Sequence, residues 1–298
     1  MKAPILNHLI FIVTFSILFG WKASAQTYEL ASPDGSVEVS INTADTISYL
    51  VTYKGEKVLL ESPLLLEFNM SPPLGRYMDV VNQEEKVIDN SWEPLIGQQK
   101  EMRNHCNQLY LEMVEENFPG RELGMYFRAY NDGIAFRYFL PKLKSKRNLT
   151  LTREYSTFHF PDNYSAWMAD YGSFASHQET EFWKHPLSHI KSSSAIGIPL
   201  TVKHAEHLYT AVTEANLDNW SGMYIGLDEQ TVKGIRLQSQ LSPKGGDPSN
   251  AEKVSISTPH TSPWRVLLIG ETPGDLIESD IVMNLNEPCE IEDPSWIK

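Results

Sequence analysis

Apolar and polar positions alternate with period two through most of the chain beyond residue 26. The runs "SVEVSI" (36–41), "SYLVTY" (48–53), "QLYLEMV" (108–114), "LTLTREY" (149–155), "LYTAVTEA" (208–215) and "GIRLQSQL" (234–241) are rich in β-branched and aromatic residues, and many of them alternate apolar with polar positions. That is the pattern of a half-buried antiparallel strand. Shorter runs, "KVLLE", "LLLEF", "PLTVKH", "KVSIST" and "PWRVLLI", share the β-branched and aliphatic bias. Turn signals separate them at "PDG", "YKGEK", "NDG" and "PKGGDPSN". Only "TPGDLIESDIVMNL" offers a helix, with Thr272 as cap and Pro273 at the first helical position. The pattern predicts an all-β protein, one large antiparallel sandwich over residues 26–298.

The sharpest local signal is "FRAYNDGIAFRYFLP" at 127–141, two alternating strands about an Asp132-Gly133 turn. A type I′ turn centred on those two residues pairs Asn131 with Ile134 and sets Arg128 opposite Arg137. Met125, Phe127, Ala129, Ile134, Phe136, Tyr138 and Leu140 then share a core face. Two guanidiniums facing each other are unfavourable without an acid between them, so at least one carboxylate is expected within salt-bridge range.

Residues 1–25 do not belong to this pattern. Lys2, an apolar run from Leu9 to Trp21 and the small-residue end Ala23-Ser24-Ala25 read as a secretory signal peptide cleaved before Gln26. The expected destination is the periplasm or the exterior. Removing the leader takes away two lysines and no acid, leaving 23 basic against 38 acidic residues, net −15. Nucleic acid and anionic membranes are therefore not the expected partners, since both need a basic footprint. A neutral substrate or a cation is compatible with the charge. Cys106 and Cys289 are too few for a disulfide framework, and their spacing leaves a single bridge open.

Taken with its neighbours, the hairpin resembles a known family. "FRAYNDGIAFRYFLP", "SPDGSVEVSI" (32–41), "TREYSTFHFP" (152–161), "AVTEANLDNWSGM" (211–223), "SPWRVLLIG" (262–270) and "SDIVMNLNEP" before "DPSWIK" resemble, in order, the amino-terminal domain of glycoside hydrolase family 97. The resemblance implies a β-super-sandwich of the galactose-mutarotase-like kind. In the family it precedes a catalytic (β/α)8 barrel, in secreted α-glucosidases and α-galactosidases. The sequence stops at "DPSWIK", near where the barrel would begin. The expectation is a truncated or split member, its partner the missing barrel and its ultimate ligand an α-linked oligosaccharide. Hydrolysis needs two carboxyl groups flanking the scissile bond, and the resemblance assigns none here to that role.

The resemblance also implies a calcium ion at the junction of sandwich and barrel, with Glu214 in "VTEANL" as this domain's one ligand. The plainer alternative is a hydrogen-bonded carboxylate with no metal bound by this chain alone. A second candidate region, "WMADYGSFASHQETEFWKHPLSHI", interleaves aromatic and polar residues, and Trp167, Glu179 and Trp183 are the candidate sugar contacts. Its alternative is a loop packed under its own aromatics. His177, His185 and His189 lack the spacing of a zinc site. A free-standing carbohydrate-binding module or a periplasmic interaction sandwich stays open beside the glycosidase reading.

Overall fold

The computed structural model describes residues 26–95, 99–117, 119–143, 148–230, 232–247 and 250–297, so the expected signal peptide, residues 1–25, lies outside the described residues. In chain order the strands begin β1 (Thr27–Ala31), β2 (Val37–Asn42), β3 (Ser48–Tyr53), β4 (Glu56–Phe68), β5 (Met78–Trp92) and β6 (Met102–Glu115). They continue β7 (Glu122–Tyr130), β8 (Gly133–Leu140), β9 (Leu149–Phe160), β10 (Ser165–Met168), β11 (Trp183–Pro186) and β12 (Leu200–Ala205). The last are β13 (Leu208–Ala215), β14 (Met223–Leu227), β15 (Ile235–Leu241), β16 (Val254–Ile256), β17 (His260–Thr261) and β18 (Trp264–Gly270). Helices α1 (Pro273–Glu278) and α2 (Ile281–Leu285) follow.

Among the described residues these strands make two antiparallel sheets. Sheet I runs β1-β2-β3-β4-β9-β15-β14, with β16 beside β9. Sheet II runs β11-β10-β12-β13-β18-β8-β7-β6-β5, with β17 beside β8. The main core lies between them, where Val39, Ile41, Leu64 and Phe158 of sheet I meet Leu109, Phe127, Phe136 and Leu267 of sheet II. A smaller cluster covers the outer face of sheet II, built from Cys106, Tyr130, Ala135, Trp264 and Val266 under Ile281 and Leu285 of α2. Thr272 caps α1 as expected: its hydroxyl accepts the Asp275 N–H, and the Asp275 carboxylate accepts the Thr272 N–H. Strand β5 closes one end of sheet II as a long edge, solvated along most of its length.

The hairpin β7–β8 corrects the expected register. Tyr130 pairs with Gly133, Phe127 with Phe136 and Tyr126 with Arg137, so the two-residue loop is Asn131-Asp132. Arg128 pairs with Ala135 rather than Arg137. The slip moves every pair by two residues in sum and so keeps the faces: the seven expected core residues are all buried. Its cause is the neighbouring strand. A Cβ on Gly133 would lie 2.4 Å from the Leu267 carbonyl oxygen, so the first residue of β8, beside β18, has no room for a side chain. The Asp132 carbonyl then accepts the Ile269 N–H at 2.8 Å. Burial lifts the Asp132 carboxyl above its ordinary pKa, while a hydrogen bond with Ser279 opposes the rise. Cys106 is buried, Cys289 is exposed, and both are free thiols.

The expected acid between the arginines is also corrected. Among the described residues no carboxylate makes an ion pair with Arg128 or Arg137. Both guanidiniums instead stand over the Trp264 ring, at 4.6 and 4.3 Å from its centroid, and Arg137 also stands 5.3 Å from Tyr126. The register explains this: Trp264, Arg137 and Tyr126 are lateral neighbours, and the small Ala135 lets Arg128 reach across. Aromatic faces supply part of the counter-charge that a carboxylate was expected to supply.

Candidate functional site at one end of the sandwich

Glu214 is the next-to-last residue of β13, paired with Arg265 on β18. Arg265 in turn pairs with the core residue Phe136, so Glu214 and Arg265 both face the space between the sheets. There they meet Glu154 of sheet I. Arg265 Nε and Nη2 donate to the two oxygens of Glu154, each at 2.6 Å, and Nη1 donates to Glu214 Oε2 at 2.5 Å. Ser156 and the Trp220 indole N–H complete the shell of Glu154, at 2.8 and 3.0 Å. Arg265 and Glu154 are fully buried, whereas the Glu214 side chain keeps 13% of its surface.

With both glutamates ionised, this triad holds two negative charges against one positive, an excess of one anion at the rim of the core. Burial raises the Glu214 carboxyl above the ordinary glutamate pKa, and the nearby Arg265 charge pulls against that shift. Burial also works against the Arg265 charge, but Glu154 and Glu214 outweigh it and hold the guanidinium above its ordinary pKa. The second Glu214 oxygen, Oε1, accepts only a long 3.3 Å bond from the Met223 N–H. That oxygen is available to a cation. Calcium needs six to eight oxygens, and among the described residues no group of three or more His, Cys, Asp or Glu gathers to hold a metal. Glu214 therefore fits calcium as the source of one donor.

The loop after β10 rises at the same end. Val212 pairs with Leu200, Thr201 with Trp167 and Met168 with Trp183, so successive rows carry the end of β13 across to the start of the loop at 169–182. The loop is fastened by its own rings. Phe174 and Tyr171 meet Tyr224 edge-on at 5.1 and 6.2 Å, and the Gln178 amide donates to the Tyr224 hydroxyl at 2.5 Å. Gly197 lies flat beneath Tyr171, where a Cβ would come within 2.4 Å of the ring.

Of the three candidate sugar contacts, Trp167 and Trp183 lie on opposite sides of one ribbon and Glu179 lies on the loop between their strands. Trp183 pairs with Met168 and Trp167 with Lys184, so the two indoles point to opposite sides of the β10–β11 ribbon. Trp167 lies under the Lys184 ammonium at 4.9 Å, and Glu179 is exposed on the loop. Trp183, 57% exposed, stands at a cavity of about 320 Å³ shared with Asp170, His185, His189 and Lys191. His185 and His189 stack there at 4.2 Å. Reading the sequence for motifs passes over Glu154 and Arg265. The visible signal is an arginine inside "PWRVLLI", a strand otherwise apolar on both faces.

The sequence profile described as Glycosyl-hydrolase 97 N-terminal matches residues 30–288. The chain belongs to this family. It is 26% identical over 294 residues to a retaining alpha-galactosidase of Bacteroides thetaiotaomicron, covering 91% of this chain and 43% of that protein. A probable retaining alpha-galactosidase of Streptomyces bingchenggensis is 23% identical, over 86% of this chain and 37% of that one. Among solved structures, a family 97 enzyme from Pseudoalteromonas sp. strain K8 in complex with acarbose superposes with a TM-score of 0.78 at 26% identity, over 91% of this chain and 40% of that chain. The same enzyme (E480Q) in complex with panose gives 0.79 at 25%. The family 97 chain thus spans about two fifths of these relatives, and its described residues form the sandwich, with no (β/α)8 barrel among them.

Proposed function

We propose that this chain serves as the non-catalytic amino-terminal domain of a secreted α-glycosidase acting on α-linked galactosides or glucosides. The observation that carries the reading is the disposition of its paired carboxylates. Glycoside hydrolysis needs two carboxyl groups flanking the scissile bond across a cleft. Glu154 and Glu214 are instead clamped on one guanidinium between the sheets, with Glu154 wholly buried and Glu214 nearly so. The α-linked substrate class is supported by the relatives, two described as retaining alpha-galactosidases and one solved with acarbose and with panose.

At the triad end of the sandwich, Glu214 Oε1 lends one oxygen to a calcium ion whose other ligands come from the catalytic domain. The excess negative charge of the triad favours a cation at that oxygen. Trp183 and its cavity contribute an aromatic rim to the sugar path on the same end. The leader at residues 1–25 directs the protein to the periplasm or beyond. The test is hydrolysis of p-nitrophenyl α-galactoside and α-glucoside by the purified chain, with and without a relative's barrel domain added. No turnover is expected from the chain alone. Robust turnover that disappears when one of its own carboxylates is changed to the amide overturns the reading.

A further inference from the structure

The triad and the loop leave one large cavity unexplained. It lies on the outer face of sheet II, between that sheet and the segment after α2, and encloses about 610 Å³. That is the size of a small-molecule pocket. Trp92, Leu95, Leu285, Ile291 and Ile297 give it apolar walls, and Arg128 and Arg137 are its cationic groups. We infer that this cavity binds a small organic carboxylate, its oxygens taken by Arg137 and Arg128 and its apolar body lying along those walls.

What the guanidiniums lack points to such a ligand. Arg128 Nε donates to the Gln108 side chain at 2.9 Å, but Arg137 donates to no described residue, and its buried Nε has no hydrogen-bond partner. Glu287 also lines the cavity and its charge is felt at Arg137, yet it forms no ion pair with it. Two cations sharing one tryptophan repel each other, and burial together with Arg128 weakens the hold of Arg137 on its charge. A buried cation without an acid is costly, and a planar carboxylate matches the forked donors of a guanidinium. The apolar walls favour a singly charged acid with a hydrocarbon or ring body over a phosphate.

The experiment titrates the purified chain with hexanoate and, in parallel, with hexan-1-ol of the same length. Binding is read by calorimetry and by the shift of the thermal midpoint. Saturable binding of hexanoate, at least tenfold tighter than hexan-1-ol, is expected. Arg137→Met should abolish that preference while leaving the free protein as stable as before or more so, because it removes an unpaired buried charge. Arg128→Met should weaken hexanoate at least several-fold. The inference is overturned if hexanoate does not bind, if the alcohol binds equally well, or if both variants retain the carboxylate preference.

Discussion

Arg265 spends all three of its donor groups on two glutamates, and no apolar side chain can take over that work. Replacing it with methionine leaves Glu154 sealed between the sheets without its cation. Removing one partner of a buried ion pair typically costs about 3–5 kcal/mol. Arg265→Met is expected to lower the unfolding free energy measured in urea by that amount, or to prevent folding, whereas Glu214→Gln removes the surplus charge and should be nearly neutral. A second residue-scale effect comes from His204, packed against Tyr164 and Phe160 at 4.4 and 5.6 Å with its Nε2 on the Thr210 hydroxyl. Burial lowers its pKa to about 4, from 6.5 in the open chain. The unfolded chain therefore takes up a proton that the folded one refuses. Stability is whole above pH 6.5 and falls as pH drops toward 4, by on the order of 3 kcal/mol across the window. His204→Phe should flatten that part of the stability profile measured by urea unfolding from pH 7 to 4.

At the scale of elements, the glycines of the turns divide into two kinds. Gly55 has a φ of 80° and open space where a Cβ would point, so Gly55→Ala should cost only the left-handed backbone, about 1–2 kcal/mol. Gly133→Ala must in addition push β18 away from β8, and overpacking of this kind typically costs a further ~1–3 kcal/mol. Chemical denaturation of the two variants side by side measures the difference. The same glycine marks a limit on what the sequence reveals. The strands are legible from alternation where one face is solvated, as in β2, and from a continuous apolar run where both faces are buried, as in β18, and β2, β3, β6, β13, β15 and β18 lie where their runs predict. Strand β5 is not, because "MDVVNQEEKVIDNSW" is an edge with both faces largely solvated and has no alternation to read. The hairpin faces are legible from alternation, but the register is not, because a strand more than a hundred residues away decides which residue needs to be glycine. The triad is hidden for a similar reason: Glu154, Glu214 and Arg265 come from three distant strands, and only the sheet order brings them together. Glu214 could be singled out only through the family resemblance.

For the whole molecule, charge and shape act together. The chain carries a formal net charge of −13, and sheet II ends in the fifteen-residue strand β5, whose outer edge has no pairing strand among the described residues. Val81 and Val87 on it are 59% and 66% exposed, while Asp79, Glu84, Glu85 and Asp89 stand between and around them. Exposed edges invite pairing between molecules, and charged side chains on them work against it. Between two copies of this protein that protection is a like-charge repulsion, which added salt weakens because the Debye length shrinks from about 10 Å at 0.1 M to about 3 Å at 1 M. Light scattering is therefore expected to report monomers in dilute buffer and growing clusters as sodium chloride rises toward 1 M, with Val87→Lys delaying their onset. Scattering that does not change with salt would show that the edge is guarded by something other than charge. The shelf life of the protein in solution is then set less by how firmly it folds than by how well one strand keeps its neighbours at a distance.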